Sequence, residues 1–371
     1  MTTYQIIGIF FAFLGIDTAT LLWIEYRKNK SLDLAKLPIT HKLIWAIRIT
    51  VGILFIYSGF VKANDYVGFA YKLEEYFTVF GQHFPPLKGF FDLFVPIAGP
   101  MAWYISVFEI ALAVALIVGW RMNLTGWLLL LMMVFFTVLT GYSHFTGAVT
   151  DCGCFGDALK LEPWESFVKD IILTGVLIPL FIVRKSIKPF PNDKIAGILT
   201  GASFLMAGIF SYYCHENLPV IDYRPYKLGV DLNVCTTEIS EEGYPKCKDW
   251  YPYFPDSEQS FEVLQGKTLM VIVYQLAKAP EGTLQEAVAL ANQLAPQGVQ
   301  VVLATSTPSA ETRQVMAEVG WKHPVALMDE TVLKTIIRSH PGYLLLENGV
   351  VQQKWHHNNT PSTEEVQSYL R

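Results

Sequence analysis

Two cysteines one residue apart, Cys152 and Cys154 in "TDCGCFGDALKLEPWES" (150–166), are the residues of this chain best suited to chemistry. A C-x-C pair closes a very small disulfide ring. Strain in such a ring raises its reduction potential, so the bridge is labile and oxidising. Gly153 and Gly156 supply the backbone freedom the ring needs. The outer end of a helix would stabilise a thiolate there, whereas Asp151 and Asp157 oppose it by raising the thiol pKa. Three chemistries fit the pair. It can cycle between dithiol and disulfide. It can form stable bridges, internally or to Cys214, Cys235 or Cys247. It can bind a soft metal such as Cu(I), for which C-x-C alone is thin evidence. His144 is a candidate base for a thiol, since imidazole titrates near neutral pH; the plainer reading is a solvated loop histidine.

A second candidate is a lone carboxyl. Glu109 falls near the middle of "MAWYISVFEIALAVALIVGW" (101–120). A charge at that depth in an apolar run is costly toward lipid, so Glu109 is expected to face the interior of a bundle, either protonated or paired. Arg48 and Lys62 are its pairing candidates. Its functional reading is a proton relay or a hydrogen bond to a quinone, and its plain reading an interhelical pair. Asp17 and Thr18 in the first apolar run are weighed the same way. Cys235 and Cys247, twelve residues apart, are most simply a structural disulfide, and Cys214 is either a resolving thiol or an unpaired interfacial cysteine.

These residues must be positioned by membrane helices. The chain of 371 residues is 52% hydrophobic and only 16% charged, a balance that points to a membrane protein with an attached soluble part. With a net charge of -5 and no basic stripe interleaved with aromatics, nucleic acid is excluded as a partner. Six apolar runs, 6–23, 43–61, 100–120, 124–142, 167–183 and 195–213, approach the ~20 residues that cross a bilayer. The segments 25–48, around Arg121 and 184–194 carry the excess of Lys and Arg, so they are expected in the cytoplasm. Both termini, the loop 62–98, the Cys-Gly-Cys stretch and everything after the last run then lie outside, which in a bacterial inner membrane is the oxidising periplasm. The aromatic segment 65–95 is expected on the outer membrane surface, roofing the cysteine loop.

Residues 215–260 read as an extended linker rich in Pro and Tyr. From 261 to 371 the pattern turns α/β: strands at 268–276, 299–306 and 324–329 alternate with helices at 284–297, 309–319 and 330–339. A hairpin over 342–357 turning at Asn348-Gly349 follows, then a helix from Ser362. This order resembles a thioredoxin fold, with His340-Pro341 at the place of its cis-proline and of a peptide-binding groove. A redox-active member would carry C-x-x-C after its first core strand; here that place reads "LAKAPEGT" (276–283), so the domain is expected to be redox-dead. His356 and His357, adjacent on a strand, are expected to point to opposite faces, and no metal is expected.

"RITVGILFIYSGFVKANDYVGFAYKLEEYF" (48–77) resembles the opening signature of DoxX membrane proteins, and CGCFGD (152–157) before a further span resembles their MauE branch. The whole arrangement is similar to multi-domain DoxX proteins of Bacteroidota. The resemblance implies a four-helix core in the inner membrane, linked to thiol chemistry. MauE relatives are associated with disulfide formation in periplasmic partners, and other DoxX relatives with sulfur oxidation that passes electrons to quinone. Arg48, Ser58, Gly59, Lys62 and Glu109 match polar or small family positions. The expected fold is therefore a helical membrane bundle of about six spans plus a thioredoxin-like domain. The expected activity is disulfide exchange between Cys152/Cys154 and a periplasmic or envelope protein. A quinone is its expected cofactor, held near Arg48 and Glu109. The competing expectation, favoured by the absent C-x-x-C, is a non-catalytic membrane scaffold whose C-terminal domain docks another envelope protein.

Overall fold

Long apolar runs with few breakers fold into helices because the backbone must satisfy its own hydrogen bonds in hydrocarbon. The computed structural model describes residues 20, 21, 23, 24, 27, 38–149, 153, 155–159, 161–239, 245–255 and 263–370. Asp17, Thr18, Cys152 and Cys154, and most of the expected first span 6–23, lie outside the described residues. Among the described residues five helices are long and apolar enough to cross a membrane: His41–Asn64, Pro85–Val118, Met122–Thr146, Pro163–Ser186 and Asp193–Glu216. The chain divides into two compact units between Tyr212 and Tyr213.

In the first unit, α1 (Pro38–Asn64) packs along α4 (Ala98–Val118). Small residues permit the approach: a Cβ on Gly52 would lie 2.3 Å from Ile117, and one on Gly59 2.7 Å from Ile110. Helices α5 (Met122–Thr146) and α6 (Pro163–Val183) form a second pair, with Gly141 against the Phe167 ring. Leu116, Leu129, Met133, Leu177 and Leu180 join both pairs in one core. Pro163 and a capping box between Glu162 and Glu165 start α6 just after the cysteine loop. Between α1 and α4, Asp65 caps α2 (Tyr66–His83), whose Phe69, Leu73, Tyr76, Phe77 and Phe80 are buried. A five-residue helix α3 (Lys88–Asp92) leads on to α4. The aromatic segment 65–95 is thus half packed into the unit, while Phe84, Leu87, Phe90 and Leu93 remain exposed.

The three basic segments meet at one end of this unit. Gly119 adjoins the Arg48 guanidinium and the Lys188 carbonyl, Trp45 packs edge-on against Phe190, and Arg184 bonds Asn123. The loop that carries Gly153 and Phe155 lies at the other end, beside Val61, Phe69 and Lys72. Helix α7 (Asp193–Glu216) adds Phe210 against Phe60 and Phe204 near Tyr104.

The second unit is built on a five-stranded sheet of order β3-β2-β1-β4-β5. Its strands are β1 (Lys267–Val273), β2 (Gln300–Thr305), β3 (Val325–Leu327), β4 (Gly342–Glu347) and β5 (Val350–His356). The first three run parallel; β4 and β5 form the expected hairpin, turning at Asn348 and Gly349 with φ of 51° and 83°. Alternate residues of β1 serve two cores. Leu269, Val271 and Val273 meet α9 (Thr283–Leu294), α10 (Ser309–Val319) and α12 (Thr363–Ser368). Met270 and Ile272 face α11 (Glu330–Ile336) and residues Tyr226, Leu232 and Trp250.

The segment expected as an extended linker, 215–260, is therefore part of this unit where it is described. Its short helix α8 (Leu232–Cys235) lies beside β5, its aromatics fill one face, and its backbone occupies both sheet edges. Val230 pairs with Val351 on β5 at 2.9 Å, and Tyr253 pairs with Leu327 on β3 at 2.7 and 3.0 Å. Lys354 donates to Asp222 at 2.9 Å and Arg224 donates to the same carboxylate at 2.7 Å, fixing the segment to the hairpin. Burial opposes ionisation of Asp222, but the two cations more than offset it and hold its pKa at about 2. Sequence reasoning missed this role because the polar and Pro-rich composition hides single anchors such as Tyr226 and Trp250.

Cys235 and Cys247 are disulfide-bonded, at a sequence separation of 12. Closing a loop of that size restricts the unfolded chain by about 3 kcal/mol. Reduction of the bridge, or Cys235→Ser, is expected to lower the denaturant midpoint of the C-terminal unit by a corresponding amount, read by hydrogen exchange of the β1 peptide in the full-length protein.

Candidate functional site

The bundle end that holds Phe155 also holds a cavity of about 20 Å³. Four ionisable side chains line it: Lys62 of α1, Glu109 of α4, and Lys169 and Asp170 of α6. Lys62, on the last turn of α1, points back into the bundle. Its Nζ lies 2.8 Å from Glu109 Oε2, donates to Ser58 Oγ at 2.7 Å, and sits 4.9 Å above the Phe136 ring. Lys62 and Glu109 are each 2% exposed. Ammonium and carboxylate neutralise one another there, which removes most of the penalty of burying either.

The second pair sits about two turns into α6. Lys169 Nζ contacts Asp170 Oδ1 at 2.9 Å, and Thr140 Oγ1 lies 3.0 Å from Asp170 Oδ2. The Asp170 side chain is 2% exposed, that of Lys169 23%. The Lys169 ammonium also lies 5.0 Å from the centroid of the Phe155 ring, which is tilted against Tyr57. Phe155 follows Cys154 directly in the chain and is itself buried. Gly153, between the cysteines, has φ of 67° and lies against Lys72 and Phe69 of α2. The aliphatic stem of Lys72, whose ammonium pairs with Glu75 at 3.1 Å, and the ammonium of Lys169 thus flank the described residues of the loop.

Of the two partners expected for Glu109, the geometry selects Lys62. Arg48 lies at the opposite end of α1, where it donates to the carbonyls of Leu116 (2.9 Å) and Ile117 (2.6 Å) and stacks on Trp45. It satisfies the C-terminal carbonyls of α4 and does not face the cavity that Glu109 lines. His144 is exposed on the last turn of α5, its ring stacked on Phe167, and is not among the cavity residues. Lys169 and Asp170 were not singled out from the sequence, where they fall in the first turn of the apolar run 167–183. The available signal was a carboxyl one turn inside an apolar run.

These contacts all fall within one stretch of chain. Residues 40–183 match the family described as methylamine utilisation protein MauE. The MauE segment runs from the start of α1 to the end of α6, so it contains the four charged residues, the cavity and the cysteine loop. Helix α7 and the sheet unit lie beyond it. No curated protein and no solved structure matches the chain significantly.

Outside the MauE segment, the His340-Pro341 peptide bond is cis. The His340 ring stacks on Tyr274 at 4.9 Å, and its Nδ1 accepts from the Tyr274 amide at 3.1 Å. Leu276–Lys278, just after β1, form a single helical turn. His356 and His357 do not diverge as expected: β5 ends at His356, the chain turns, and the two rings approach to 4.2 Å. Among the described residues no group of His, Cys, Asp or Glu is placed to hold a metal. Cys214, in the last turn of α7, carries a buried thiol.

Burial lowers the pKa of both His340 and His356 to about 4. The unfolded chain, with histidine near 6.5, binds protons first as pH falls. The contribution of these two histidines to the stability of the C-terminal unit is therefore expected to be full above pH 6.5, to fall between 6.5 and about 4, and to be constant below, where protonation of Asp222 continues the loss. Exchange protection of β1 in the intact protein, corrected for the intrinsic rate, measures this, and His356→Gln should flatten the fall.

Proposed function

We propose that this MauE-type membrane protein exchanges disulfides with a protein partner through Cys152 and Cys154, on the periplasmic side of a bacterial inner membrane. The observation that carries the reading is the position of the loop's described residues. Gly153 is flanked by Lys72, and Phe155 by Lys169, at the end of the bundle opposite its basic segments. The Lys169 ammonium beside Phe155 would favour the thiolate, which is the attacking form, whereas the Lys72 ammonium is paired with Glu75 at 3.1 Å. The basic segments at the other end support a periplasmic loop by the positive-inside rule.

A thiolate of the pair attacks the partner's disulfide. A mixed disulfide forms as the partner's S–S bond breaks; the second cysteine then attacks it, leaving the partner as a dithiol and the pair oxidised. The reverse order oxidises the partner. A quinone is the expected electron carrier for the pair. Arg48 and Glu109, expected to hold that quinone, face different places, and the cavity at Glu109 is far smaller than a quinone ring, so no step is routed through these two residues.

The C-terminal unit is read as a thioredoxin-like domain without redox chemistry, on the strength of its strand order, its cis Pro341 and the cysteine-free 276–283. Its sheet edges are already paired with 229–232 and Tyr253, so partner docking is proposed beside the half-buried His340, next to the buried Pro341. That absence of C-x-x-C also favours the second reading, a membrane scaffold whose C-terminal unit alone engages the partner.

Alkylation trapping of the full-length protein separates the two. Disulfide exchange predicts that Cys152 and Cys154 become alkylatable after mild reduction and are protected again when an oxidised partner is added. Thiols that never change state, with partner capture lost on deletion of 261–371, would establish the scaffold instead.

A further inference from the structure

One imidazole of the C-terminal unit holds its neighbours by a bond that only its neutral form can make. His356 ends β5 and caps the helical turn His357–Asn359: its Nδ1 accepts from the Asn358 amide at 3.2 Å. A neutral imidazole has one ring nitrogen that accepts, and a protonated one has none. His357 behaves differently. Ser339 Oγ donates to the Pro341 carbonyl, so it receives from the His357 amide at 2.9 Å and from His357 Nδ1 at 3.1 Å. His357 therefore donates through Nδ1 in either protonation state, and only His356 changes role.

The capped turn holds the end of α7, whose residues from Tyr213 onward belong to the C-terminal unit. Asn358 Nδ2 donates to the Glu216 carbonyl and to Glu216 Oε2, both at 3.0 Å, and Asn359 Nδ2 donates to Asn217 Oδ1 at 2.9 Å. Asn217 Nδ2 donates in addition to the Tyr213 carbonyl at 2.9 Å. Two carbonyls that α7 leaves open at its C-terminus are thus satisfied through this contact. Asn358 and Asn359 are exposed, so their bonds compete with water and depend on the turn keeping its shape.

We infer that His356 is the acid-sensitive pin of a latch: protonating it releases the His357–Asn359 turn and, with it, the last turn of α7. The inference does not depend on the thiol reading. In the protonated ring Nδ1–H would meet the Asn358 N–H, donor against donor, and a positive charge would stand 4.2 Å from the His357 ring. His215 of α7 also opposes charge on His356, whereas Glu216 of α7 and Glu286 of α9 favour charge on His357. His340, on the cis-proline loop, faces His357, and Lys354, two residues back on β5, is held by Asp222. Burial first, then His357 and His215, hold the latched His356 at about 4. A released ring returns toward about 6.5. Between these values each unit of falling pH favours release by up to about tenfold.

The test is hydrogen exchange of the full-length protein from pH 7 to pH 4, corrected for the intrinsic rate and read at peptides covering 212–218 and 355–360. Protection of both is expected to fall by about a hundredfold. His356→Asn keeps a side-chain acceptor that does not titrate, and asparagine is a good cap, so its protection should stay constant. Glu216→Gln keeps an acceptor for Asn358 and should lose protection as the wild type does. Constant protection in the wild type overturns the inference without any variant having to fold. A fall that persists in His356→Asn, or that vanishes in Glu216→Gln, overturns it as well.

Discussion

Glu109→Leu is expected to destabilise the membrane unit by about 3–5 kcal/mol, because it leaves the Lys62 ammonium buried without its counter-charge. Lys62 is 2% exposed and cannot extend to water without vacating the space between Ser58, Phe136 and Phe69. Lys62→Met should be comparably costly, for it strands a carboxylate instead. The double variant Lys62→Met/Glu109→Leu is the informative control. Removing both charges replaces an ion pair with apolar side chains of similar size, which is close to neutral in stability. Thermal unfolding in detergent, followed by loss of the monodisperse species, should place the double variant near wild type and both single variants well below it. Additive losses in the double variant would show that the two residues do not act as a pair.

The second large effect concerns the sulfurs. Replacing one cysteine of an exchanging pair removes either the attacking or the resolving thiol. Of Cys152→Ser and Cys154→Ser, one is expected to lose exchange altogether, and the other to accumulate a covalent mixed disulfide with its protein partner. The adduct should run as a reductant-sensitive band on non-reducing gels and be absent from the double variant. Mass spectrometry of the band would identify the partner. Single variants that both stay free of adducts, with unaltered growth, would assign the pair a structural role.

Much of the scaffold could be read from residue pattern. The β-α alternation after 261, the Asn348-Gly349 turn and the Ser362 cap follow from local rules, since hydrophobic period and turn chemistry act over a few residues. Glu109 stood out because a carboxyl inside an apolar run has few plain explanations. The choice of Lys62 over Arg48 as its partner was not legible. Both lie on the same helix, and only the crossing of α1 with α4 decides which one reaches it. The contact of Asp170 with Thr140 was not legible either, because the two lie thirty residues apart on different helices. The segment 215–260 misled for the opposite reason. Its composition is that of a linker, and of its anchors only the Cys235–Cys247 bridge was expected; Lys354 to Asp222 and backbone pairing at both sheet edges also fold it into the unit, and neither of these contacts is local.

The central claim is a redox-active cysteine pair on the oxidising face of the membrane. Its most direct test is alkylation of intact cells with a membrane-impermeant maleimide, before and after mild reduction, reading Cys152 and Cys154 by mass spectrometry. The account predicts no labelling at first and labelling of both sulfurs after reduction, with no need to permeabilise the cells. Labelling that requires permeabilisation, or that is complete without reductant, would contradict it.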